Sequence, residues 1–163
     1  MKNFIRIALL SAVGIGLVAC STTGSSNAND TAYYTDANGN RIILDPFNPQ
    51  SPLYQEKSVY FGYDQYTVSP QYQNILQLHA TYLSRHPQQK VRISGNTDAR
   101  GSVEYNLGLG QRRSVAVRNI LVQYGASPLQ IEAISFGKSK PKAFGHTEQD
   151  YAENRRADIT YIQ

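Results

Sequence analysis

The sequence predicts an α/β domain, an α+β sandwich in the order β-α-β-α-β-β, with two helices on one face of a mixed sheet. Three observations predict it. Residues 70–85 and 103–124 repeat apolar side chains at helical spacing. Around them lie short β-rich or alternating stretches: SVYFGY at 58–63, VRIS at 91–94, Ile131 to Phe136, and RADITYI at 156–162. Clusters of Gly, Pro, Asn and Ser separate the two kinds of segment.

The elements follow in order. Ser58 to Tyr63 reads as the first strand. Ser69-Pro70 opens the first helix, with Ser as N-cap and Pro at the first helical position. Tyr72, Ile75, Leu76, Leu78, His79, Tyr82 and Leu83 form its inner face, and Pro87 ends it. The second strand is Val91 to Ser94. The second helix runs from Val103 to Tyr124, with Gly125 as C-cap. Ser127-Pro128 makes a short turn into the third strand. Residues 137–153 read as a long loop, and Arg156 to Ile162 as the last strand.

Upstream of this domain the chain changes character. Lys2 and Arg6 precede an apolar run from Ile7 to Val18. The run is shorter than the roughly 20 residues that span a bilayer, so residues 1–19 read as an export signal. Cys20, the sole cysteine, follows directly and excludes an intrachain disulfide. Leu17-Val18-Ala19-Cys20 resembles the lipobox of bacterial lipoproteins, which implies acylation of Cys20 and a lipid anchor. Ser21, in place of Asp, implies the periplasmic face of a Gram-negative outer membrane. Residues 20–55 are then expected to be a flexible tether, with Arg41 to Leu44 as a possible edge strand, and residues 56–163 the domain. A flexible chain of that tether's length spans roughly 30–35 Å.

The net charge of +4 counts Lys2 and Arg6. Without them fourteen basic residues face twelve acidic ones, and no dense basic run is left to neutralise phosphates. Nucleic acid is therefore not an expected partner. His79, His86 and His146 have no metal-ligand or triad spacing, so neither a metal, a cofactor nor catalysis is expected. Surface or capping roles are expected for all three.

One turn carries possible chemistry. GNTDARG at 95–101 joins the second strand to the second helix and holds Asp98. On that helix Asn106, Leu109, Gly110, Arg113 and Val117 share a face, which points Arg113 inward and Arg112 to solvent. An inward guanidinium needs acceptors, because an unpaired buried charge is expensive. Pattern alone leaves three outcomes: Asp98 pairs with Arg113, Asp98 caps the helix, or a ligand lies between the two.

GNTDARG with NLGLGQRRSVAV resembles the signature of the OmpA-like peptidoglycan-binding family. The likeness continues in VYFGYDQY at 59–66, ISFGKSKP at 134–141 and FGHTEQDYAENRRADITY at 144–161. With the lipobox and tether, it extends to the family's peptidoglycan-associated lipoproteins (Pal) of Tol–Pal systems. Gly110 stands where the signature usually has Ser, Ser114 where it has Ala, and Asn96 where His is common. The resemblance implies binding to the meso-diaminopimelate of peptidoglycan stem peptides, with Asp98 on its ammonium and Arg113 on its carboxylate. It implies a pocket completed by Asp64 and Tyr63, with Asn106 and Leu109 as walls, although Asp64 can equally be a loop former and Leu109 core. Asn154-Arg155-Arg156 is expected to hold the last loop to the sheet. TolB and other Tol proteins are the implied protein partners, docking over the same pocket.

Overall fold

The computed structural model describes residues 33–35 and 38–162. Residues 1–19 and Cys20 lie outside it. Its elements are β1 (Tyr33–Thr35), β2 (Arg41–Ile43), α1 (Pro52–Gln55), β3 (Ser58–Tyr60), α2 (Gln73–Arg85), β4 (Lys90–Asn96), α3 (Val103–Gln123), β5 (Ile131–Gly137), α4 (Glu148–Asn154) and β6 (Arg156–Ile162). The main sheet has the order β3-β6-β4-β5. β4 and β5 are parallel, while β6 runs antiparallel to both β3 and β4. This is the expected mixed sheet.

Alternation decides which face is covered. Val91, Ile93, Ile131, Ala157, Ile159 and Tyr161 are buried and belong to one core with Ile75, Leu76, Leu83, Val117 and Leu121 of the two long helices. On the other face Arg92 stands opposite Glu132 and Thr160. Arg92 and Glu132 form an ion pair at 2.7 Å, about half exposed on both sides. Such a pair contributes little; it marks the solvent face.

Two adjacent glycine contacts set the distance between α3 and the sheet. A Cβ on Gly95 would lie 1.8 Å from the Gly110 carbonyl oxygen, and one on Gly110 would lie 2.7 Å from the Gly95 oxygen. A mid-helix glycine costs about 1 kcal/mol relative to alanine. At residue 110 that cost accompanies direct backbone contact between helix and strand.

Several expectations are corrected. The 137–153 stretch is not all loop: Thr147 caps α4 in a capping box with Asp150. Pro70–Tyr72 forms a 3-10 turn, with no side-chain cap from Ser69, and α2 starts at Gln73. The 20–55 stretch is not a tether throughout. β1 and β2 pair as a hairpin, and Leu44 and Leu53 are buried in the core at 1% and 0% exposure. Ser51 accepts from the Leu53 N–H and donates to the Ile43 carbonyl, clasping the segment together. Leu44 and Leu53, with Tyr34 and Ile42 packed against the same core, supply the burial in a stretch interrupted by polar residues and prolines, with no periodic signal.

His79 also departs from a surface role. It is fully buried, with Nε2 3.0 Å from the Glu56 carbonyl and Nδ1 2.8 Å from the Tyr161 hydroxyl. A carbonyl only accepts, so the proton sits on Nε2 and the Tyr161 hydroxyl donates to Nδ1. Burial is the main cause that lowers the His79 pKa from 6.5 to about 4; the nearby Lys57 lowers it further against the Glu56 hydrogen bond. Protonation therefore favours the unfolded chain. The stability from a neutral His79 is complete above pH 6.5 and is lost as pH falls toward 4. Urea unfolding at pH 7 and 4.5 should show a loss of roughly 2–3 kcal/mol from this group. His79→Gln, which keeps both hydrogen-bonding partners, should lack that part of the pH dependence.

Candidate functional site

A cleft of about 210 Å³ opens where β3, β4, α3 and the start of β6 converge. Tyr63, Asp64, Thr97, Asp98, Arg100, Gly101, Tyr105, Asn106, Leu109, Arg113 and Arg155 line it. Each of the expected pocket residues, Tyr63, Asp64, Asp98, Asn106, Leu109 and Arg113, is among them. Cys20 lies outside the described residues.

Arg113 is the fixed cation. Its helix position turns it toward the sheet, where it is fully buried. Nε donates to the Gln65 carbonyl at 2.8 Å, one terminal nitrogen to Asn96 at 2.8 Å, and the other to Gly62 at 3.1 Å. The Phe61 ring lies 5.1 Å beneath the guanidinium carbon. Three of the five N–H groups are taken. Burial, aided by the charge of Arg155, lowers its pKa to about 10, so it stays cationic at neutral pH. Among the described residues no carboxylate lies within salt-bridge distance of Arg113.

Asp98 is the fixed anion. It is 5% exposed and neither pairs with Arg113 nor caps α3. Ser102 is the cap, accepting from the Tyr105 N–H. The Asp98 carboxylate meets Arg100 at 2.6 Å and Arg155 at 3.5 Å, and also accepts from the Arg100 backbone N–H at 3.2 Å. Burial pushes its pKa up, but the hydrogen bonds and charge of Arg100, with help from Arg155, hold it below the usual 3.8. Of the three outcomes open in the sequence, direct Asp98–Arg113 pairing and helix capping are both absent.

The remaining residues play different parts. Asn106 is buried and its amide donates to the Arg100 and Ser102 carbonyls, at 2.7 and 2.9 Å, which holds the 97–102 turn against α3. Leu109 is 5% exposed and serves as both wall and packing. Asp64 adopts a left-handed φ of 54°, a region Asp tolerates better than most residues, and accepts from the Tyr105 hydroxyl. Tyr63 is 64% exposed at the rim.

The sequence reading missed Arg100 and Arg155 as site residues. Asn154 does hold a loop, accepting from the Lys142 and Ala143 N–H groups, and Arg156 pairs with Asp158. Arg155 instead turns into the cleft, on Asp98, Glu148 and the Phe61 carbonyl. Its place at the end of α4 gives no periodic signal. Arg100 had one: a cation two residues past a turn aspartate can fold back onto it.

The sequence profile of the OmpA family matches residues 60–155. This chain belongs to the OmpA family. A peptidoglycan-associated lipoprotein of Haemophilus influenzae is 38% identical over 161 residues, covering 99% of this chain and 100% of that protein. One from Pseudomonas aeruginosa is 37% identical, covering 96% of this chain and 95% of that protein. Among solved structures, the peptidoglycan-associated lipoprotein from Burkholderia pseudomallei shares 55% identity at a TM-score of 0.70, over 72% of this chain and 100% of that one. The C-terminal domain of Helicobacter pylori MotB, 20% identical at a TM-score of 0.60, shares the fold, covering 65% of this chain and 84% of that one. Membership in this OmpA-like group places the chain among non-enzymatic proteins.

Removing Arg113 should be costly, because three carbonyls would lose their donor. Arg113→Met should lower unfolding stability by about 2–4 kcal/mol in urea titration. A loss below about 1 kcal/mol would show that water or another donor replaces it.

Proposed function

We propose that this OmpA-family chain is an outer-membrane lipoprotein that binds peptidoglycan non-covalently. The ligand is the meso-diaminopimelate of the stem peptide, whose free end carries an ammonium and a carboxylate on one carbon. Asp98 takes the ammonium and Arg113 the carboxylate. The supporting observation is the pairing pattern: a buried anion and a buried cation line one small cleft without bonding to each other. Arg113 keeps N–H groups for a carboxylate, and its planar fork suits that shape.

The anchor is Cys20, acylated on the periplasmic side of the outer membrane, and residues 1–19 are the signal removed on export. Twelve residues, Ser21 to Ala32, separate Cys20 from β1, which limits their reach to about 40 Å. Several acyl chains give stable anchoring, and a polymeric ligand adds avidity. The chain then works within a Tol–Pal-type system. TolB would cover the same mouth, where Tyr63, Tyr66 and Tyr105 are exposed and aromatic rings favour protein contacts.

Asp98→Asn removes the anion and Arg113→Lys keeps the charge but loses the planar fork, both sparing most of the packing. Both should lower co-sedimentation with diaminopimelate-type sacculi at least tenfold, with circular dichroism unchanged. Binding retained by both variants would sink the diaminopimelate assignment. Cys20→Ala should move the protein from the membrane to the soluble fraction of fractionated cells; unchanged membrane association would refute the lipid anchor.

A further inference from the structure

Two of the cations that line the cleft, Arg113 and Arg100, are held in different ways. Arg113 is fully buried, with every guanidinium nitrogen on a backbone carbonyl. The Arg100 side chain is 37% exposed. Its buried Nε has no hydrogen-bond partner among the described residues. Its contact with Glu148 is long, at 3.5 Å, and reaches a carboxylate that is itself 65% exposed. What holds it is the 2.6 Å bond to Asp98 and the faces of Tyr63 and Tyr151, at 4.4 and 4.3 Å. Tyr63 is itself largely exposed.

We propose that Arg100 is an internal stand-in for the ligand's ammonium, occupying Asp98 in the free protein and leaving when the ligand arrives. This rests on the peptidoglycan reading above. A buried carboxylate without a cation is expensive, and Arg100 supplies one while the site is empty. Because its guanidinium is incompletely bonded and borders solvent, release costs little and needs only side-chain rotation. The backbone N–H of Arg100 and the guanidinium of Arg155 stay on Asp98 and keep it ionised. The ligand must therefore compete with a tethered cation, which lowers apparent affinity by the fraction of free protein in which Asp98 is already vacant. Carboxylate recognition stays with Arg113, so Arg100 tunes affinity and not the choice between diaminopimelate and lysine.

Isothermal titration of the full chain in detergent tests this, using a diaminopimelate-ended stem peptide and its lysine-ended counterpart. Arg100→Met keeps an apolar stem between the two tyrosines and removes the charge. It should bind both peptides about fivefold tighter, the scale of an ion pair open to solvent on its Arg100 side, with their affinity ratio unchanged. Equal or weaker binding of the diaminopimelate peptide by Arg100→Met overturns the proposal, because Arg100 would then be idle or a direct ligand contact. No binding by the wild-type chain instead refutes the peptidoglycan reading and this proposal with it. A second readout does not depend on the variant: the Arg100 Nε–H resonance should shift on saturation with the diaminopimelate peptide. A resonance that stays in place overturns the release step.

Discussion

The buried guanidinium of Arg113 connects the parts of the domain that form the cleft. It comes from the inner face of α3 and donates to the loop at Gly62 and Gln65 and to the end of β4 at Asn96. Helix, strand end and loop therefore share one set of hydrogen bonds. A cation in that place is tolerable because carbonyl oxygens replace its water. Among the described residues no carboxylate lies within salt-bridge distance of it. Asp98, whose carboxyl is held below its usual pKa by Arg100, lines the same cleft.

That arrangement depends on a close approach elsewhere. Gly95 and Gly110 allow the backbones of β4 and α3 to touch, with no room for a Cβ on either. A larger separation would lift Arg113 away from Asn96. Gly110 thus has a packing reason in mid-helix. The Asn106 amide then ties the 97–102 turn to the first turns of α3. The geometry of the cleft is thus distributed over backbone contacts and the hydrogen bonds of one buried amide.

The periphery follows a different logic. The hairpin of β1 and β2, with α1, adds to the core through Leu44 and Leu53. Arg85 donates to the Tyr33 carbonyl and lies over the Tyr34 ring, joining the hairpin to the end of α2. These contacts shorten the span available between Cys20 and the domain. His79 lies beneath this region, bonded to the Glu56 carbonyl and stacked near Tyr161. A histidine on an apolar helix face is ambiguous in sequence; its partners come from residues 23 positions before and 82 positions after it.

The sequence by itself determined the elements that rest on local periodicity. The inner faces of α2 and α3 and the alternating strands follow from spacing of 3.6 or 2 residues, while Pro87 and Gly125 mark helix ends through their own backbone chemistry. It also placed Arg113 inward, because Leu109 and Val117 share its face. The turn before α3 offered Asp98, and the resemblance to a family added Asp64 and Tyr63 to the same pocket. Tertiary structure decided the partners. That Asp98 meets Arg155, that Arg113 donates its hydrogen bonds to three carbonyls, and that the stretch before β3 packs through Leu44 and Leu53 depend on contacts between distant residues. Hydrogen bonds and ion pairs form wherever the fold brings groups together, and pairings of that kind leave no period in the chain.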